Sequence, residues 1–114
     1  MALQADCIFC RIISGQIPAK IIAQNDHVVV LQDIAPKAPI HYLIIPKAHI
    51  KDISALQPSD TAVASSMLFM AQQLAQQLPG TQSYRLIANT GRESGQSVFH
   101  AHIHFLSGKQ MHDF

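Results

Sequence analysis

At 114 residues, with 48% hydrophobic and 13% charged positions, the chain is long enough for one packed core and too apolar for a disordered tail. Eight basic against seven acidic side chains leave a formal charge of +1, a balance that does not suggest the clustered basic charge duplex nucleic acid calls for. No apolar run reaches the roughly 18 residues of a membrane span, and the N-terminal segment lacks the basic start of a signal peptide. The expectation is a single domain over residues 1–114, cytoplasmic, with no membrane and no nucleic-acid partner.

In chain order, residues 7–14 place apolar side chains at 8, 9, 12 and 13, the spacing of a short amphipathic helix stopped by Gly15. Residues 20–24 predict a strand and Asn25-Asp26 a hairpin-type turn. Residues 27–33 (HVVVLQD) predict a buried strand, and Pro36 and Pro39 hold an extended loop before a third strand at 41–45 (HYLII). One long helix is predicted over about 58–78. Pro58 opens it, Ser59 and Asp60 supply the first turn, Val63, Met67, Met70, Ala71, Leu74 and Leu78 form its apolar stripe, and Pro79-Gly80 stops it. Residues 83–89 predict a strand, 90–97 (TGRESGQS) a glycine-bearing loop, and 98–106 (VFHAHIHFL) a strand of strict alternation. Short connections do not allow parallel crossovers. The fold class expected is therefore α+β, with a mainly antiparallel sheet of about five strands, one long helix and a short N-terminal helix.

Histidine is over-represented, with seven in the chain and three of them at 100, 102 and 104. Chance placement of such a triplet has an expectation of roughly 0.025 in a chain of this length. In a strand, alternate residues share a face, so His100, His102 and His104 project together, opposite Phe99, Ala101, Ile103 and Phe105. Such a row is costly to bury unless each ring is hydrogen-bonded or metal-bound. It reads either as a solvent face or as a site where neutral imidazole acts as nucleophile or base. Cys7 and Cys10 form a lone C-x-x-C, open between redox chemistry, zinc and simple buried thiols. On spacing alone, His41 reads either as a satisfied core histidine or as part of a site. His27 reads as a surface or strand-edge residue.

The run His100-Ala101-His102-Ile103-His104-Phe105-Leu106 resembles the His-φ-His-φ-His-φ-φ signature, φ being apolar, of the histidine triad (HIT) family. Residues 83–105 look like its Hint branch, the purine nucleoside phosphoramidases. So do Ile17-Pro18-Ala19-Lys20, Asp33-Ile34-Ala35-Pro36 with Ala38-Pro39-Ile40-His41, Leu43-Ile44-Ile45-Pro46-Lys47 with His49-Ile50, and Gln110-Met111-His112. The resemblance covers nearly the whole chain in order. It implies a HIT-fold hydrolase, like the adenosine 5′-monophosphoramidases, that cleaves purine nucleoside 5′-phosphoramidates at the α-phosphorus through a covalent nucleotidyl-histidine. The partner implied is a purine nucleotide or phosphoramidate, and the assembly a homodimer.

By the same resemblance, His102 is the nucleophile, the carbonyl of His100 fixes its tautomer, His104 contacts phosphate and His41 joins the histidine network. Ser97 assists the leaving group. Asn89 and Gln96 contact phosphate, with backbone N–H groups of Gly95 to Val98 beside them, and Asp33 accepts the ribose hydroxyls. Ile8, Phe9, Ile12, Ile34 and Leu43 sandwich the purine, although each reads as ordinary core on its own. Bacterial relatives bind structural zinc with a cysteine pair and two histidines, here Cys7, Cys10, His49 and His100; no organic cofactor is implied. His112 lies in a tail that ends at Phe114 and carries no firm role. Dinucleoside polyphosphate hydrolysis, nucleotidyl transfer, or a regulatory nucleotide- or zinc-binding module stand as alternatives.

Overall fold

The computed structural model describes residues 4–113; Phe114, the end of the tail, lies outside them. A short helix α1 (Ile8–Ile13) leads into strands β1 (Ile21–Gln24), β2 (Val28–Gln32) and β3 (Ile40–Pro46). The long helix α2 (Thr61–Gln77) follows, then β4 (Tyr84–Ile87) and β5 (Ile103–Ser107). The five strands form one sheet in the order β1-β2-β3-β5-β4, and all four pairings are antiparallel. The expected α+β architecture is the one observed. Among the described residues, no helix is long and apolar enough to cross a membrane.

The sheet is buried on two faces, which is why β2 reads as an unbroken apolar run. Val28, Val30, Ile44, Ile103 and Phe105 pack on Met67, Met70, Ala71 and Leu74 of α2, so both methionines are core filler. Val29, Leu31, Leu43 and Ile45 face the other way and pack on Phe9 of α1. The cross-strand partners His41–Leu106 and Leu43–His104 put His41, Leu43 and His104 on the α1 face. The period of two thus hands one side of the sheet to the core and the other to the histidines.

Two elements begin later than expected. The predicted helix at 58–78 starts with a 3₁₀ turn, Pro58–Asp60, before α2 proper. The Asp60 carboxylate accepts from the Gln57 N–H (2.8 Å), which caps that tight turn, not α2. The strand expected over 98–106 pairs only from Ile103. Its neighbour β3 ends at Pro46, which has no N–H with which to extend the ladder. The Pro46 carbonyl accepts from the His100 ring instead (2.7 Å), and the Ala101 N–H donates to Ile50 (2.6 Å). His100 therefore sits in a bend and His102 just before the strand; only His104 is a ladder residue.

Phe105 is fully buried between α2 and the rings of Tyr84 and Tyr42, with centroids 4.8 and 6.3 Å away. Phe105→Ala is expected to cost about 3–5 kcal/mol of unfolding free energy. Urea titration checks this, and a loss below about 1 kcal/mol contradicts the packing described.

Candidate functional site

On the α1 face a cavity of about 920 Å³ opens between α1, the ends of β2 and β3, and the loop before β5. It is lined by twelve of the residues singled out from sequence: Ile8, Phe9, Ile12, Asp33, Ile34, Leu43, Asn89, Gly95, Ser97, Val98, His102 and His104. Ile34 stands fully in solvent at its rim, an unusual position for a large apolar side chain. His41 and His100 lie behind the lining, 4% and 0% exposed.

The hydrogen bonds assign the tautomers of four histidines. The Pro46 carbonyl can only accept, so His100 carries its proton on Nε2, and Nδ1 keeps a lone pair. His102 Nδ1 lies 2.8 Å from the His100 carbonyl, so Nδ1 is protonated and Nε2 is the free lone pair. The Lys37 N–H donates to His41 Nδ1 (3.0 Å), which puts the His41 proton on Nε2. That nitrogen is 2.9 Å from His104 Nδ1 and 3.3 Å from Asp33 Oδ2. His104 Nδ1 is then an acceptor, and its Nε2–H remains as a donor. The His102 and His104 rings are adjacent, with centroids 5.1 Å apart.

Burial sets the charge of these rings. It pushes His104 down to about 4, helped by His102 and His41 and opposed by Asp33. It also lowers His41, where Asp33 opposes and Lys37 assists. Both are neutral at neutral pH, as the tautomer assignments require.

The loop from Gly91 to Val98 is shaped by Gln96, and here the sequence reading needs correcting. Gln96 was expected to contact phosphate. Its side chain is buried instead, accepting from the Gly91 N–H (2.8 Å) and donating to the carbonyls of Lys51 (2.9 Å) and Val98 (3.1 Å). An amide with its donors and acceptor satisfied internally holds the loop and is turned from the cavity. Gly95 adopts φ +112° beside Asn89, a turn that a side chain strains. The N–H groups of Gly95 and Gln96 close onto Arg92 and Gly91, so they are not open donors either. Among the described residues, those of Ser97 and Val98 have no protein acceptor and are the two available.

A second cluster lies behind the first. Cys7 and Cys10 Sγ and the Nδ1 atoms of His49 and His100 are all within 4.8 Å of one another. Cys7 Sγ–His100, Cys10 Sγ–His49 and Cys10 Sγ–His100 are 3.3, 3.3 and 3.5 Å. Donors around a tetrahedral zinc lie roughly 3.3–3.8 Å apart, and two thiolates with two imidazoles suit that ion. The cluster is able to hold a metal. Cys7 also caps α1, its Sγ accepting from the Cys10 N–H (3.4 Å). Phe9 packs edge-on against both His100 and His102 and so separates the two clusters.

A scan against family models matches residues 6–114 to one described as "Scavenger mRNA decapping enzyme C-term binding". A HIT-like protein of Synechocystis, itself uncharacterised, is 40% identical over 104 residues, 91% of each chain. The chain belongs to the histidine triad family. Among solved structures, the HIT family hydrolase from Legionella pneumophila superposes with TM-score 0.87 at 39% identity, over 94% of this chain and 96% of that one. The histidine triad protein from Clostridium difficile superposes with TM-score 0.93 at 32% identity, over 100% and 99%.

The cavity also recruits residues to which no role was given from sequence: Ile17, Pro18, Ala19, Lys20, Leu31, Gln32 and Pro36. Leu31 was findable, since alternation puts it on the face of Asp33. The segment 17–20 was not, because no local pattern says where an irregular connection lies. His27 and His112 are exposed, and the His112 carbonyl accepts from Arg85 Nη2 (2.6 Å), tying the tail to β4.

The folded pKa of His104, about 4, lies below its ordinary 6.5. Between these values the unfolded chain binds a proton that the folded site excludes, so stability is full above about 6.5 and falls as pH drops toward about 4. Urea midpoints measured down this range are expected to decline, less steeply in His104→Gln; equal slopes in the two proteins contradict a His104 held neutral by its half-buried site.

Proposed function

We propose that the chain is a cytoplasmic hydrolase of purine nucleoside 5′-phosphoramidates that works through a covalent nucleotidyl-His102. The observation that carries this reading is the His102 tautomer, with Nδ1–H held by the His100 carbonyl at 2.8 Å and Nε2 left as a lone pair beside the cavity. The mostly apolar wall of Ile8, Phe9, Ile12, Leu43 and the exposed Ile34 suits a purine ring, and Asp33 suits ribose hydroxyls. The name of the Legionella relative, a HIT family hydrolase, agrees with the reaction class.

In the proposed reaction, Nε2 of His102 attacks the α-phosphorus and forms an N–P bond. The P–N bond to the leaving amine breaks, and the amine takes a proton that the Ser97 hydroxyl relays from solvent, returned when the attacking water of the second step gives up its own. The N–H groups of Ser97 and Val98 and the Nε2–H of His104 face the phosphoryl oxygens, where developing negative charge gains most from fixed donors. Water then attacks the phosphorus, the His102–phosphorus bond breaks, and a nucleoside monophosphate leaves with the imidazole restored.

The second cluster supports a structural zinc held by Cys7, Cys10, His49 and His100. When bound it supplies four closed bonds that tie α1 to the segments after β3 and before β5. A homodimer is part of the same proposal. Leu68 and Phe69 on α2 are 59% and 64% exposed, and β4 is an edge strand, features that a second copy suits.

His102→Ala is expected to lower turnover of an adenosine phosphoramidate on the order of 10³-fold or more. Mass spectrometry of quenched wild type is expected to find one nucleotide bonded to His102; full activity in His102→Ala ends the mechanism. Metal analysis of the purified protein is expected to give about one zinc per chain and close to none in Cys7→Ser, with a lower melting temperature for the variant. A metal-free wild type that melts like the variant refutes the zinc site.

A further inference from the structure

His41 has one proton and two acceptors. The Lys37 N–H occupies Nδ1 at 3.0 Å, so the only proton on the ring is at Nε2. Nε2 faces His104 Nδ1 at 2.9 Å and Asp33 Oδ2 at 3.3 Å. The ring is 4% exposed, and its Nε2–H is the one donor it brings to both acceptors. Asp33 is also asymmetric: its Oδ1 is taken by the Ala35 N–H at 2.8 Å. Oδ2 has the greater free capacity, so a hydroxyl arriving from the cavity and donating there meets the same oxygen that competes for the His41 proton.

We propose that His41 is a positioning residue that couples occupancy of Asp33 by the ribose hydroxyls to the tautomer of His104. The inference rests on the nucleotide reading given above and deepens it. Without hydroxyls, Asp33 draws the Nε2–H of His41 and weakens the bond that holds His104 Nδ1 as an acceptor. Hydroxyls donating to Oδ2 make it a poorer acceptor. The His41 proton then goes wholly to His104, whose own proton is fixed on Nε2, the nitrogen left to meet the phosphate. Burial keeps both rings neutral, so a single proton is shared at each bond. Ribose recognition thus contributes to the rate as well as to binding, because the donor that faces the phosphate is held more firmly when a ribose occupies Asp33. A substrate lacking the hydroxyls leaves the His41 proton shared with Asp33 and the His104 tautomer less firmly held.

The test has two arms. Imidazole nitrogen NMR on histidine-labelled wild type compares titration with AMP and with 2′,3′-dideoxy-AMP. AMP is expected to move the His41 Nε2 and His104 Nδ1 resonances toward a single strong hydrogen bond, and the dideoxy nucleotide to leave them unmoved. In the kinetic arm, the dideoxy form of an adenosine phosphoramidate is expected to lose about tenfold in kcat, besides any rise in KM. In His41→Gln, whose amide brings two protons to the two acceptors, the kcat difference is expected to collapse while the KM difference set by Asp33 stays. If both nucleotides bind and shift His104 alike, or if the kcat gap persists in His41→Gln, the coupling is overturned and the hydrolase reading stands. If neither nucleotide binds, both fall together.

Discussion

His100 is the residue on which the site depends, because three of its polar groups are each committed to a different partner. Its Nε2–H goes to the Pro46 carbonyl at the end of β3, and its Nδ1 lone pair meets the two cysteines. Its backbone carbonyl holds the His102 ring. A fully buried imidazole with an unmet nitrogen costs on the order of 1–3 kcal/mol, so each commitment constrains the other two. Burial pushes the ring down to about 4, which keeps it neutral and keeps Nδ1 a lone pair. The end of a strand, the geometry of the cysteine–histidine cluster and the tautomer of the cavity histidine are settled at one residue.

The cavity histidines extend the same logic. A histidine is ambiguous by itself, since either nitrogen carries the proton. Here each ambiguity is removed by a backbone group that has no choice: a carbonyl at His100, a carbonyl at His102, an N–H at His41. Only His104 takes its tautomer from a side chain, and that side chain shares its proton with Asp33. The network is rigid where main chain supplies the partner and adjustable at the single bond where it does not.

Much of this was legible in the sequence because the chemistry is local in it. Alternation in 98–106 put His102 and His104 on one face, and their rings are adjacent. The stripe in 58–78 located the α2 core, and the unbroken apolar run of β2 marked a strand buried on both sides. What stayed hidden depends on where a neighbour stops. Extended backbone keeps its alternation after the ladder ends, so nothing in VFHAH shows that pairing waits for Ile103. That boundary belongs to Pro46, more than fifty residues earlier. Gln96 was misread for a related reason: a polar side chain in a glycine-bearing loop looks like a ligand until its three internal partners are known. The Asp33–His41–His104 bonds join three segments, and no spacing within one of them announces the others.

The placement of the two clusters follows from the two-faced sheet. The α2 side has an apolar core with Met67, Met70 and Phe105 packed closely, and a titratable group there has no partner to meet. The α1 side is covered by only six helical residues, too few to close it. A short helix over a wide face leaves either a cavity or exposed apolar strand, and the cavity beside Leu31 and Leu43 is the result. Such a cover has little packing of its own and needs fastening. Phe9 fastens it from within, and Cys7 and Cys10 bring it to His49 and His100. The helix is short enough to leave the cavity open beside it, and its two cysteines are what bring it to the segments after β3 and before β5.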